Sequence, residues 1–308
     1  MAIIREDAGF VSSDGSTRVY GTWWLPEGEP KAIFQCAHGM AEYIDRYDPF
    51  CSYLAGKGYA VCGIDYLGHG KTSSPENYGY MAKKDGWKLI TRDVHTMTGI
   101  AKKKFPGKKT ILLGHSMGSF VVRYYAEQWS QDIDGLIICG TGGTNPAVGA
   151  GIAVLSVLRF FEGGRAKSKF AKNLAFGKYQ DRIKNPKTEY DWLSVDEKNV
   201  EDYVADPMCG FDFTLSGYQD LLRILKRVSD RDSWTKIRKD LPVFVIAGAE
   251  DPVGNYGEGP KEVADNLRTV LSDVELKIYD GMRHEILRET EKEKVWGDVT
   301  DWCSARGM

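Results

Sequence analysis

Apolar residues in this chain gather into short unbroken runs that end in small-residue turns. AIFQCAHG at 32–39, YAVCGIDYLGHG at 59–70, TILLGHSMG at 110–118, GLIICGTGG at 135–143 and LPVFVIAGAED at 241–251 share this form, and VELKIYDGM at 274–282 adds a last strand. Continuous rather than alternating apolar strands are covered on both faces, as a parallel sheet requires. Helical patterns fall between the runs: 43–56, which ends in Gly56, 85–104, closed by Pro106 and Gly107, and 117–129. This alternation predicts an open α/β sheet.

The alternation stops between 143 and 232, where helical stretches are separated by Gly, Asn and Pro. Because strands resume at 241, this segment reads as a helical cap inserted between late strands, over a core of 1–142 and 233–308. Asn145-Pro146 suits a helix start. The stretch 147–161 is apolar on nearly all sides and too short to span a bilayer. It reads either as a helix covering an acyl pocket or touching lipid, or as one packed wholly between cap and sheet. Arg159, Arg165, Lys167, Lys169 and Lys172 read first as a solvated basic face, with affinity for anionic headgroups as the alternative. Phe211, Phe213, Leu215 and Tyr218, where the chain returns to the core, are candidate pocket-lining residues.

Composition narrows the field. The 308 residues carry 41 Lys plus Arg against 43 Asp plus Glu, a net charge of −2, which argues against a general nucleic-acid binder. An apolar content of 42% with 12% aromatics excludes disorder as the main state. The first residues, MAIIREDAGFVSSDGS, have no secretory pattern, and no run reaches the length of a membrane span. Cys36, Cys51, Cys62, Cys139, Cys209 and Cys303 form no C-x-x-C pair. They are expected to be free thiols in a reducing compartment, the cytoplasm, with no zinc site.

Gly114-His115-Ser116-Met117-Gly118 fits G-x-S-x-G with a strand directly before and a helix directly after, the setting of a nucleophile elbow. A serine hydroxyl needs a base to take its proton. In this arrangement acid and histidine follow the serine, and of the five histidines only His284 does so. The acid belongs after a late strand, where Glu250 and Asp251 stand; Asp251 is preferred, and Asp280 lies too near His284. The oxyanion hole calls for two backbone donors, assigned to the N–H groups of Met40 and Met117.

These motifs resemble the α/β-hydrolase superfamily, and within it the monoacylglycerol lipase/lysophospholipase-like serine hydrolases. H-G-M-A-E-x-x-x-R-Y at 38–47 is similar to that group's oxyanion loop, and Asp65 to Thr72 is similar to its D-x-x-G-H-G-x-S box, with Thr72 in place of serine. The resemblance implies Ser116, Asp251 and His284 as triad, with Met40 and Met117 as oxyanion hole. It also implies His38, Gly39, Glu42 and Arg46 as support for the oxyanion loop, Glu42 and Arg46 pairing with each other, and a structural role for Asp65 and His69. The implied activity is hydrolysis of a small acyl ester, such as a monoacylglycerol or lysophospholipid, with no metal or organic cofactor. Other readings stay open. An aminopeptidase of the prolyl type would need a cap carboxylate, with Glu162, Glu189 and Glu201 as candidates. A ligand receptor with a hydrolase shell, or an acyltransferase, would use the same fold.

Overall fold

The computed structural model describes residues 3–308. Eight strands form one sheet: β1 (Ile3–Val11), β2 (Arg18–Pro26), β3 (Ala32–Ala37), β4 (Tyr59–Ile64), β5 (Thr110–His115), β6 (Gly135–Cys139), β7 (Val243–Gly248) and β8 (Val274–Tyr279). Their order is β1-β2-β4-β3-β5-β6-β7-β8. From β4 to β8 neighbouring strands run parallel, while β2 is antiparallel to both β1 and β4.

The antiparallel pair β1–β2 is absent from the strand pattern read above. For β1 the reason is exposure at most of its positions, so its sequence carries no continuous apolar run, whereas β2 is largely buried. Its turn is held by Asp14, whose Oδ1 accepts the N–H groups of Ser16 and Thr17 at 2.7 and 2.8 Å.

The parallel strands are sandwiched. One face packs Leu112, Leu136 and Ile138 against α2 (Gly86–Lys104) and α3 (Met117–Trp129) through Met97, Val121 and Tyr125. The other packs Leu113, Ile137 and Ile246 against α1 (Asp48–Gly56) and, near the C-terminus, the helix Lys292–Ser304, through Phe50, Leu54 and Val299. Successive residues such as Leu112 and Leu113 are both fully buried, on opposite faces, which is why the runs show no alternation. The predicted helix over 43–56 is divided: a single 3-10 turn spans Ile44–Tyr47 and α1 follows, with Pro49 in its first turn.

Between β6 and β7 the chain forms five helices: α4 (Val148–Glu162), α5 (Lys169–Phe176), α6 (Glu197–Ala205), α7 (Leu215–Val228) and the short α8 (Arg231–Trp234). After β7 come α9 (Glu258–Arg268), β8 and α10, the C-terminal helix named above. The insertion is tied down through α7: Arg123 Nη2 of α3 donates to the Val228 carbonyl at 2.8 Å, and Arg227 pairs with buried Glu127. α4 is not packed wholly inside. Leu155 and Gly151 face inward, Gly151 closely against Leu222, whereas Val157, Phe160 and Phe161 are 58%, 82% and 79% exposed. Nor do the five basic residues form one surface. Lys172 pairs with Glu189 and Asp212, Arg159 bonds Gln219 and the Lys83 carbonyl, and Arg165 lies over the Tyr80 ring. Among the described residues no helix is long and apolar enough to cross a membrane.

Candidate active site

The site lies at the carboxyl ends of the parallel strands. Ser116 occupies the turn between β5 and α3 with φ 56° and ψ −122°. A non-glycine residue held there stores roughly 1–3 kcal/mol of strain. Three bonds hold it: its N–H donates to the Cys139 carbonyl at 3.0 Å, and its own carbonyl accepts Ser119 N–H and Oγ–H at 2.8 and 2.5 Å. The motif glycines are set by close approach. A Cβ on Gly118 would stand 2.2 Å from the Ala37 carbonyl oxygen at the end of β3.

Asp251 follows β7 and His284 follows β8. His284 Nδ1 stands 2.9 Å from Asp251 Oδ2, with both side chains buried. The other Asp251 oxygen accepts the Val253 N–H at 2.8 Å. Glu250 and Asp280 are both exposed at the surface, so Asp251 alone of the three candidates meets the imidazole. With Nδ1 donating to the carboxylate, Nε2 is left as the acceptor. The Ser116 hydroxyl makes no hydrogen bond to His284 among the described residues. The ring of Trp192, from the insertion, lies 5.2 Å from that of His284.

The loop after β3 is held by buried charge. Glu42 Oε1 accepts the Gly39 N–H at 2.6 Å and the Tyr47 hydroxyl at 2.8 Å, and its Oε2 pairs with Arg46 Nη1 at 2.7 Å. Arg46 also forks onto Glu285, at 2.7 and 3.1 Å, and Glu285 accepts Asn199 Nδ2 at 2.7 Å. Burial pushes the Glu42 carboxyl up, but His115 and Arg46 outweigh it and hold it well below the usual carboxylate range. Glu285 is likewise pushed up by burial and, on balance, held low by Arg46. The N–H groups of Met40 and Met117 have no hydrogen-bond acceptor among the described residues.

The remaining motif histidines are structural in their contacts. His38 is stacked on Tyr66 at 4.0 Å, bonds the Gly39 carbonyl and accepts the Tyr66 N–H. Burial pushes its pKa down to about 4, and that of His69 to about 3. Asp65 ties two loops together by accepting the N–H groups of Ile44 and Lys71 at 2.8 and 2.7 Å. Burial raises it to about 7.

A cavity of about 200 Å³ opens beside Met40 and Ala41. Its walls are largely aromatic: Phe176, Tyr190, Trp192, Tyr203, Phe211 and Tyr218. Of the predicted pocket residues, Phe211 and Tyr218 line it. Phe213 and Leu215 are fully buried below it, Phe213 against the rings of His69 and Tyr218. Helix α4 contributes nothing to the wall. Tyr190 and Trp192 escaped the sequence reading because they sit in an irregular stretch, and Phe176 because it ends a short helix, α5. The segment bearing Trp192 is fastened to the His284 loop instead: Arg283 Nη1 donates to the Asp191 and Ser194 carbonyls at 2.7 and 3.0 Å, and Glu289 accepts Ser194 Oγ–H at 2.7 Å. Of the three cap glutamates considered, Glu162 and Glu201 are exposed away from the cavity, and Glu189 lines it while paired to Lys172 at 2.9 Å.

Comparison with known proteins shows the family. The model of the family Hydrolase_4, described as serine aminopeptidase, S33, matches residues 28–291. A monoacylglycerol lipase of Mycolicibacterium smegmatis is 28% identical over 301 residues, spanning 97% of this chain and 96% of that protein. The monoglyceride lipase of Mus musculus is 25% identical, spanning 96% of this chain and 89% of its own. A highly thermostable carboxyl esterase from Bacillus coagulans, solved in complex with glycerol, superposes with a TM-score of 0.93 at 29% identity over the whole of both chains.

Proposed function

The chain belongs to the Hydrolase_4 family of S33 serine hydrolases, and on that premise we propose that it hydrolyses monoacylglycerols and similar acyl esters, lysophospholipids included, through an acyl-enzyme on Ser116. The observation that carries this reading is the buried His284–Asp251 pair, 2.9 Å apart, at the same end of the sheet as the strained Ser116 turn.

Ser116 Oγ attacks the ester carbonyl as His284 Nε2 takes its proton; the serine–histidine contact tightens when substrate arrives. Asp251 holds the tautomer and stabilises the imidazolium that forms. The N–H groups of Met40 and Met117 bind the tetrahedral oxyanion, Met117 at the positive end of α3. His284 then protonates the leaving alkoxide, and the alcohol departs. Water, deprotonated by His284, attacks the acyl-enzyme and releases the acid.

The aromatic cavity beside Met40 suits an acyl chain, and its rim of Lys172, Glu189 and Asp212 suits the hydroxyls of a glyceryl group. That rim also weighs against an aminopeptidase, because both carboxylates pair with Lys172, at 2.9 and 3.2 Å, so neither is free to grip a substrate amine. Residues 143–232 are the cap, and its bare face at Val157, Phe160 and Phe161 suits contact with lipid. The cytoplasm is the compartment that fits six buried free thiols.

The test is initial rates on p-nitrophenyl esters from acetyl to palmitoyl, with monoacylglycerols, lysophospholipids and aminoacyl amides in parallel, for the wild type and Ser116→Ala. Ester turnover that falls by about 10⁴–10⁶ in the variant supports the reading. Turnover of amides alone, or an active variant, overturns it.

A further inference from the structure

His115, the residue between Gly114 and the serine, faces two acceptors. Its Nε2 stands 3.1 Å from the carbonyl oxygen of His284, which has no proton to give. Its Nδ1 stands 2.8 Å from the Tyr47 hydroxyl, and that hydroxyl is also 2.8 Å from Glu42 Oε1. The phenol has one proton. Glu42 Oε1 already accepts from Gly39, and Oε2 accepts from Arg46, so two donors favour its charged form. A carboxylate accepts only, which directs the phenol proton to Glu42 and leaves Nδ1 to donate to the Tyr47 oxygen. Both ring nitrogens of His115 then donate. The same accounting at His38 gives a neutral ring, because one nitrogen accepts from the Tyr66 N–H while the other meets the Gly39 carbonyl.

We propose that His115 is an imidazolium, held by Glu42 through Tyr47, and that by donating to the His284 carbonyl it positions the loop carrying the general base. The role of His284 as base rests on the function proposed above; the charge on His115 does not. Glu42, Glu285, Arg46 and His115 are all buried, two anions with two cations, and the part-exposed Arg288 adds a further positive charge 3.9 Å from Glu285. The other titratable rings facing His115 are Tyr47 and that of His284, 4.7 Å away; His38 adds a weaker opposing influence. Burial works against the cation, and the hydrogen bond and charge of Glu42 outweigh it. Mechanically, the oxyanion loop at Gly39, the turn before Ser116 and the backbone of His284 become one hydrogen-bonded unit. His115 is thus a positioning residue, since it touches no reacting atom.

The test has two arms. In the first, ¹⁵N-histidine NMR of the intact protein follows the five histidines from pH 6 to pH 8.5, with His115→Gln assigning the missing signal. The expected result is one ring that keeps both nitrogens protonated at pH 7, above the ~6.5 midpoint of a free histidine. A His115 ring with one bare nitrogen at pH 7 overturns the proposal whether or not the chain hydrolyses esters. In the second arm, His115→Leu lowers kcat by about 10²-fold with KM little changed, the cost of a misplaced catalytic group. His115→Gln, which keeps a donor for the His284 carbonyl, recovers most of that loss. A folded His115→Leu with wild-type kcat overturns the positioning role. If the leucine variant fails to fold, the glutamine variant and the wild-type spectrum still decide.

Discussion

Replacing Arg46 by methionine removes one guanidinium and keeps most of the stem. Arg46 is 5% exposed at its side chain and bridges Glu42 and Glu285, each 4% exposed. Its loss strands two carboxylates in the interior. Arg288 approaches Glu285 only at 3.9 Å, and His115 reaches Glu42 only at 3.5 Å or through Tyr47. Removing one partner of a buried pair costs about 3–5 kcal/mol, a large share of the roughly 5–15 kcal/mol that holds a domain folded. The sign with pH is specific. In the wild type both glutamates are held below their ordinary value, so they contribute stability above the ordinary carboxylate range and lose it only as pH falls through their depressed pKa values. In Arg46→Met Glu285 loses the main opposition to its burial and rises, while His115 still opposes the burial of Glu42, so the variant is penalised most at high pH, chiefly through Glu285, and is relieved as protons bind. Urea unfolding at pH 8 and pH 5.5 measures both effects. The expected stability gap is about 3–5 kcal/mol at pH 8, narrowing by about 1 kcal/mol or more at pH 5.5. Arg46→Met/Glu285→Gln restores part of it. A gap under about 1 kcal/mol at pH 8, or one that widens on acidification, would refute the reasoning.

Other outcomes follow from the same geometry. Ser116→Gly relieves the strained φ of 56° and raises unfolding stability by about 1 kcal/mol in urea while abolishing turnover; a loss of stability would contradict the strain. Gly118→Ala drives a Cβ to within 2.2 Å of the Ala37 carbonyl and must displace the end of β3, so kcat falls by about 10² and stability by about 1–3 kcal/mol. Trp192→Ala removes a wall of the cavity beside His284 and lowers kcat/KM for decanoyl esters by about 10–200-fold, with a smaller effect on acetyl esters. Equal losses on both esters would remove Trp192 from the acyl wall. In the native state 5,5′-dithiobis(2-nitrobenzoate) titrates the six buried cysteines slowly, and all of them at once in guanidinium; rapid labelling of the folded protein would contradict their burial.

The parallel strands are legible because both faces are covered: Ile111, Leu112 and Leu113 are all fully buried, so the run is unbroken. β1 is illegible for the opposite reason, with Ile3 and Ile4 exposed beside Arg5, Glu6 and Asp7. At the site, residues whose chemistry is scarce can be read in order along the chain. Few histidines exist, one follows Ser116, and Asp251 stands where an acid belongs. Glu42 and Arg46 are only four residues apart, and the resemblance of their loop to the family's implies the pairing that the structure shows. Glu285, which completes that pair, lies 239 residues from Arg46, and no local pattern announces it. Trp192 is harder still: its segment is oriented by Arg283 and Glu289, about 90 residues further on. Phe211 and Phe213 look alike in sequence, yet one lines the cavity and the other is sealed beneath it.

The spread of the site along the chain has a consequence for synthesis. His284 meets the backbone contact of His115 across 169 residues, and the helical insertion is made in between. At about 5–20 residues per second, a ribosome extrudes Ser116 roughly 10–30 s before His284, its proposed base. A nascent chain stalled before β8 carries an elbow, part of a sheet and the residues that line the cavity, but not the proposed base, nor Arg283 and Glu289, which fasten the Trp192 segment. On the proposed mechanism hydrolysis is therefore withheld until β7 and β8 have docked, and a chain cut short before residue 284 has Ser116 without its proposed base.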